Sequence, residues 1–395
     1  MRTPKLSDER GMALAVAIFA LVVIGALVAG AFFASELEQR TGRNTLYAAE
    51  AAQAAETGSN SVLADWDQFN LNNMAVGDSS LLGTTSLGGR ISYTPKVYRL
   101  NNDLFLVQSL GTRTDASGAI MSQRLLASIS RLTYVTATAN AAVTVSKPIS
   151  FNGNAFSIDG HDDAPQGWNA NTENCPATGD KAGVRSDTAV YSGKNDSTQA
   201  SGQIKGVPAI VSNDPTVTDN FFDVFGDVSF DDLKKNADIV LPLSTPYPEV
   251  APSLTATNPQ RCNTANQLNW GEPHRNGADF VAQCTTYFPI IYGSGTQLKL
   301  TGGGRGQGML LVEGDLEIAG GFEFVGLIVA KGGIKITGNG NKISGALLAK
   351  DVALDDDNSI SGNTTLTFSS CALSKAIKGS AFAQPLANRS WVQLY

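Results

Sequence analysis

The strongest pattern along the chain is an apolar run from Met12 to Phe33, MALAVAIFALVVIGALVAGAFF, 22 residues without a charge. At 1.5 Å per residue it reaches about 33 Å, enough for a hydrocarbon core of about 30 Å. The polarity then changes while the helical signal persists. Ser35 to Asp65 is rich in Ala, Glu, Gln and Leu and has no proline, so span and continuation predict one helix of about 50 residues. Leu46, Ala49, Ala52 (or Gln53) and Glu56 recur at helical spacing and are the expected packing face. Gly42 and Gly58 are expected weak points.

The period then shortens. Residues 66–90 read as a linker rich in Asn, Gly and Ser. ISYTPKVYRL, LFLVQSLGT and SQRLLASISRL follow as three strands, separated by turns at Asn101–Asp103 and Thr114–Gly118. Near the C-terminus a repeat emerges: Met309–Gly326, Leu327–Gly345 and Ala346–Gly362 align Gly314 with Gly332 and Asp351, offsets of 18 and 19 residues. Short alternating runs broken by Gly or Asn/Asp at that period predict a parallel β-helix with coils about 4.8 Å apart. Leu316, Ile318, Phe322, Phe324, Ile334, Ile336 and Ile343 are expected to point inward. Ala141–Gly160 reads as a first coil, and Thr296–Gly302 as re-entry into the stack. VSFDDLKK at Val228–Lys235 reads as a short helix with a capping-box-like Ser229/Asp232 start. Pro242, Pro246, Pro248 and Pro252 mark extended loop.

The expected fold class is α+β: a long N-terminal membrane-spanning helix, a small antiparallel sheet, then a parallel β-helix (β-solenoid) with a large insertion. The expected divisions are a leader at 1–11, helix at 12–65, linker and meander at 66–140, first coil at 141–160, insertion at 161–290, repeats at 291–371 and a capping segment at 372–395.

Arg2, Lys5 and Arg10 precede the apolar run, which puts the N-terminus in the cytoplasm and the rest beyond the inner membrane. Three readings remain open: a plain single-pass anchor, a cleaved secretory signal with Ala29 and Ala31 at the cut, and a prepilin-type leader cut between Gly11 and Met12. ERGMALAVAIFALVVIGALVAGAFFASELEQR with the later YAAEAAQAAETG resembles the N-terminal region of PilX-type minor pilins. Gly11, the uncharged span, Glu36, Glu38 and the Ala48–Glu56 run carry the match, over about 15% of the chain. The resemblance implies cleavage by a prepilin peptidase, methylation of the Met12 amine, and assembly through an assembly platform with other pilin subunits into a type IV pilus or related filament at the cell surface. Gly25, Ala26, Ala29 and Gly30 permit close helix approach, or are ordinary lipid-facing residues. Major pilins carry Glu at the fifth mature position, where this chain has Val16. A subunit without that carboxylate cannot neutralise a neighbour's amine, which favours the filament tip over the shaft.

Composition narrows the alternatives. Charged residues are 16%, Gly is 40 of 395 and the formal net charge is −7. Broad nucleic-acid binding requires a basic face and is not expected. Two histidines leave little for metal or acid–base chemistry, and no cofactor, metal or catalytic set is expected. Cys262 and Cys284 are the expected disulfide, with Cys175 and Cys371 the remaining cysteines of an oxidising compartment. A zinc site from Cys262, His274 and Cys284 lacks a close C-x-x-C pair. His161-Asp162-Asp163 and Asp355-Asp356-Asp357 are cation sites or solvated turns. GGGRGQG at 302–308 leads into a strand, unlike a phosphate loop. The function classes left are a non-catalytic filament subunit displaying a β-helical head for adhesion or assembly, with a type II secretion minor pseudopilin as a variant, and a tethered or secreted β-helix enzyme acting on polysaccharide. The enzyme would use Glu313, Asp315, Glu317 and Glu323.

Overall fold

The computed structural model describes residues 10–133, 135, 139–152, 156–169, 173, 175, 178–192, 202–226, 228–241, 246–247, 249–350, 358–361, 363–379, 381–386 and 391–394. Asp355–Asp357, Pro242 and Pro248 lie outside them. A long apolar helix is followed by mostly sheet, antiparallel and then parallel.

Helix α1 (Arg10–Ala64) is continuous over 55 residues, about 82 Å. Its inner half packs on an antiparallel sheet built from β1 (Ser79–Leu81), β2 (Thr85–Gly88), β3 (Ile91–Arg99), β4 (Leu104–Thr114) and β5 (Ile120–Thr133). Strict alternation turns Tyr93, Val97, Phe105 and Val107 inward. The expected turns form by Asx chemistry: the Asn101 side-chain oxygen Oδ1 accepts from the Asp103 and Leu104 amides at 2.8 Å, and Asp115 accepts from the amides of Ser117 and Ala119.

The packing face of α1 differs from the expected one. Leu46, Ala49 and Glu56 face solvent, and the buried row is Ala51, Ala54, Ala55, Gly58, Ser59 and Val62. An alanine-rich helix has no strong apolar stripe, so its rotation is set by the surface it meets. That surface includes Gly111, where a Cβ would fall 1.9 Å from the Ala51 carbonyl oxygen. Only the smallest side chains admit this approach. Gly58 is therefore a contact rather than a weak point, since a Cβ there would lie 2.3 Å from Ser109 Oγ.

Residues 66–90, expected as linker, hold structure of their own. Helix α2 (Gln68–Leu71) is capped by Asp67, and β1 and β2 both pair with β3. Arg99 holds the segment, donating to the carbonyls of Asn72 at 2.8 Å and Met74 at 2.5 Å. Phe382–Pro385 and Trp391–Leu394 also join this sheet, antiparallel to β5. The C-terminal residues expected to cap the stack extend the antiparallel sheet instead, because β5 at 14 residues offers pairing along its outer edge.

Two parallel sheets make up most of the remainder. Among the described residues one runs Ile239–Leu241, Ile290–Gly293, Gly304–Val312, Phe322–Ala330, Asn341–Lys350, Thr364–Phe368, Ser157–Asp159 and Ile204–Lys205. The other runs Gln297–Leu300, Asp315–Ala319, Ile334–Thr337, Asn358–Ser361, Ile149–Asn152 and Val190–Ser192. Gly304 lies beside Phe322 and Leu316 beside Ile334, 18 residues apart in each case; Glu323 lies beside Lys342, 19 apart. The seven residues expected to point inward are all buried, from 0% to 3% exposed. Long strands bend at Gly308, Gly326 and Gly345, with φ of 114°, 142° and 139°. A Cβ on Gly326 would lie 2.0 Å from the Gly308 carbonyl oxygen, and one on Gly345 1.9 Å from that of Gly326, so this column is restricted to glycine.

Spatial order departs from chain order. Ala141–Gly160 does not precede Thr296–Gly302 in the stack. Ala141–Ser146 pairs with the second half of Asn341–Lys350, with Val143 beside Leu347. Thr364–Phe368 pairs with the first half, with Leu366 beside Ile343. Early and late segments thus complete one layer together. Residues 161–290, expected as an insertion, supply strands to both ends of the stack: Ala182–Ser186, Val190–Ser192 and Ile204–Lys205 at one end, Ile239–Leu241 at the other. Short helices α3 (Asn220–Asp223) and α4 (Phe230–Lys235) lie on the path between the ends. α4 carries both bonds of the capping box expected at Ser229 and Asp232. Helix α5 (Ser370–Gly379) packs on Gly304–Val312, Phe322–Ala330 and Asn341–Lys350. One hydrophobic core runs from Val62 and Trp66 through Phe105 into the stack.

Candidate functional site

The two halves of α1 meet different surroundings. From Ala13 to Leu46 every residue is exposed, and the helix is long and apolar enough to cross a membrane. Val16 is 65% exposed. A Cβ on Gly25 or Gly30 would meet nothing within 4 Å. Glu36 pairs with Arg40 one turn on at 2.5 Å, a solvent-exposed contact of little energetic weight. Glu38 is exposed on the same stretch. Gly11 and Met12 belong to the first turn of α1, which begins at Arg10. Residues 1–9 of the expected leader at 1–11 lie outside the described residues.

The inner half is tied to the sheet by polar bonds as well as close packing. Arg113 donates from Nε to Glu50 at 2.5 Å and from Nη1 to the carbonyls of Gly89 and Thr114, with its guanidinium 5.3 Å from the Tyr47 ring centroid. Stalk and sheet are thereby one unit.

The four cysteines form two bridges, Cys262–Cys284 with S–S 2.02 Å and Cys175–Cys371 with Cα–Cα 4.8 Å. The second ties the segment between Ser157–Asp159 and Ala182–Ser186 to α5. With both of its sulfurs bonded, the Cys262/His274/Cys284 set has no thiolate for zinc, and His274 binds Glu323 at 3.1 Å.

The acidic residues an enzyme would use each have a separate partner. Glu313 accepts from Lys234 at 3.1 Å and from the Tyr292 hydroxyl at 2.9 Å. Burial raises the Glu313 carboxyl, but Tyr292 and Lys234 outweigh it and hold it below its ordinary value. Asp315 accepts from the Gly333 amide at 2.8 Å, and Glu317 from Lys299 at 2.9 Å. Along the outer faces charge alternates from rung to rung: Lys299, Glu317, Lys335 on one sheet and Arg305, Glu323, Lys342 on the other. This pattern stabilises neighbouring strands. His161 bonds Asp159 at 2.6 Å, which raises its pKa. Asp162 accepts from the Ser370 amide at 2.8 Å and hydroxyl at 2.7 Å, anchoring the start of α5. Residues 304–308 of GGGRGQG lie in a strand.

Sequence reasoning missed Glu272 and Arg305. Glu272 is fully buried and takes both Nε and Nη2 of Arg305, at 2.9 and 3.0 Å, plus the amides of His274 and Val281. It fixes the disulfide-bearing loop to the stack, and no local pattern announces a pair 33 residues apart. Gly111 did carry a signal: a glycine at an inward position of a strand marks close backbone approach.

No family model matches the chain, and no curated protein matches it. A solved structure, the crystal structure of the competence-associated pilin ComZ from Thermus thermophilus, is similar over 88% of this chain and 97% of that chain, at 12% identity and a TM-score of 0.22.

Proposed function

We propose that this chain is a non-catalytic, minor pilin-like subunit of a type IV pilus or a related filament. The observation that carries the reading is the division of α1: an apolar outer half left bare and an inner half locked to a folded head. A bare apolar rod continuing rigidly into a head suits lateral docking among similar rods, first in the inner membrane and then in a filament. In this reading a prepilin peptidase cuts between Gly11 and Met12, the new amine is methylated, and the assembly platform inserts the subunit beside other pilins. The N-terminus is cytoplasmic before cleavage. Val16, apolar where a neutralising carboxylate would sit, favours the tip over repeated shaft positions.

The head is read as a parallel β-helix. The 18-residue offset shared by both parallel sheets and the glycine column at Gly308, Gly326 and Gly345 support this. Glu313, Asp315, Glu317 and Glu323, each held by its own partner, support display over catalysis.

Mass spectrometry of the membrane-extracted protein tests the reading. The expected mature N-terminus is methylated Met12, and Gly11→Val is expected to leave the leader attached. A mature chain starting beyond Phe33, or processing unchanged in Gly11→Val, overturns it.

A further inference from the structure

Where α1 ends against the base of the parallel stack, a cleft of about 340 Å³ opens between residues 64–69, residues 235–238, Thr264 and Tyr287. Asp65, Asp67 and Asp238 line it against one cation, Lys235. Asp67 accepts from the Asn70 amide at 2.9 Å and side chain at 2.6 Å, and Asp238 accepts from the Ile290 amide at 2.8 Å. These bonds fix two of the carboxylates and leave them further lone pairs.

The wall behind them holds two oxygens that lack a hydrogen bond among the described residues, Gln68 Oε1 and the Tyr287 hydroxyl. Gln68 is 5% exposed and Tyr287 3%. The Gln68 amide nitrogen is already used, donating to the Asn236 carbonyl at 3.3 Å. Tyr287 stacks edge-on against Phe69 at 5.6 Å. Its hydroxyl lies on the acidic side: burial raises its pKa first, and the charges of Asp238 and Asp67 raise it further. Asp238 is surrounded by protein atoms while remaining open to the cleft, and that setting, with Asp67 and Asp65 nearby, pushes its carboxyl up to about 7. The place therefore combines excess negative charge, two buried oxygens without donors in its wall, and the partly exposed ring of Phe69.

A metal ion does not fit this arrangement. Calcium needs carboxylate oxygens converging at about 2.3–2.6 Å, and among the described residues no three such ligands come together. A primary ammonium fits better. It brings one positive charge and three N–H donors, and its alkyl stem can lie against the Phe69 ring.

We propose that the cleft binds the primary ammonium group of an alkylamine, supplied by a lysine side chain of another protein chain or by a free diamine. This inference does not depend on the filament reading. Isothermal titration calorimetry of the full chain in detergent micelles tests it, with 1,5-diaminopentane and Nα-acetyl-lysine methylamide as probes at matched ionic strength. Saturable one-to-one binding is expected. It should weaken at least tenfold in Asp65→Asn/Asp67→Asn, where Asn at 67 retains the α2 cap, and should weaken in Tyr287→Phe without loss of thermal stability. Binding of both probes identifies a protein side chain as an acceptable source, and binding of the diamine alone identifies a free amine; either supports the proposal. Stoichiometric binding of calcium chloride with no response to the amines overturns it, as does amine binding unchanged in the double Asn variant.

Discussion

Gly42 and Gly58 occupy the same helix, sixteen residues apart, and do opposite things. A Cβ on Gly42 would meet nothing within 4 Å, whereas one on Gly58 would collide with Ser109 and the Tyr93 ring. The same contrast separates the outer half of α1, bare from Ala13 to Leu46, from the inner half buried at Ala51, Ala54 and Ala55. Small residues in a helix thus meet two settings that composition does not separate: one leaves open space beside the helix, the other fills that space within the molecule.

The sharpest way to break this comparison is Gly111→Val. Its Cβ would fall 1.9 Å from the Ala51 carbonyl oxygen and 2.5 Å from the Ala55 nitrogen, so the helix must lift off. A cost of about 3 kcal/mol is expected, read as a large fall in the unfolding midpoint of the head; an unchanged midpoint refutes the close-contact account. Next is Gly58→Ala. Alanine gains about 1 kcal/mol in helix propensity, yet the clash should leave a net loss of about 1 kcal/mol. A net gain would mean that Tyr93 moves aside freely.

Arg113→Ala removes the half-buried bond to Glu50 and two bonds to carbonyls. About 1 kcal/mol is expected, with faster amide exchange in residues 47–55 and none of that change around residue 30.

A smaller effect is expected at the foot of the inner half, where Asp238 faces Asp65, Asp67, Tyr287 and Lys235. Its pKa is raised from 3.8 to about 7, so the folded state holds a proton that the unfolded state releases. The stability this contributes is present in full below about pH 4 and is lost as pH rises through about 7. Asp238→Asn should flatten that slope and stabilise the protein at pH 8, by less than about 1 kcal/mol because the cleft admits water. Denaturant midpoints at pH 5 and pH 8 measure it, and an unaltered slope in the variant rules Asp238 out as its source. The smallest effect has the sign opposite to that of Gly58→Ala: Gly42→Ala should slow local amide exchange by about 0.5 kcal/mol and leave the head's unfolding midpoint where it was.

How far these features can be read from sequence depends on the range over which they act. Leu316, Ile318, Phe322, Phe324, Ile334, Ile336 and Ile343 are legible because alternation chooses the face and the 18-residue spacing chooses the neighbour. The continuity of α1 is legible for the same local reason. Which layer lies beside which is not: Val143 fits beside Leu347 as it would fit beside any apolar strand of similar length. The pairing of Trp391–Leu394 with β5 and of Glu272 with Arg305 likewise rests on distant parts of the chain meeting in space. For the candidate site, the apolar run and Gly11–Met12 stand out in sequence. The acidic cleft draws on residues 65–68, 238 and 287, and no spacing rule links them.

The chain enters the parallel stack at Ala141 and leaves it at Phe368 in the same layer, and just outside that layer Phe382 pairs with Thr133. The two strand connections between the antiparallel sheet and the stack therefore meet it at its waist, while its base rests on the foot of α1 through Gln68 and Phe69. Tension arriving along the rod would divide between two parallel cords and load their interstrand bonds in shear, so that the layers farthest from the foot of α1 would carry little of it.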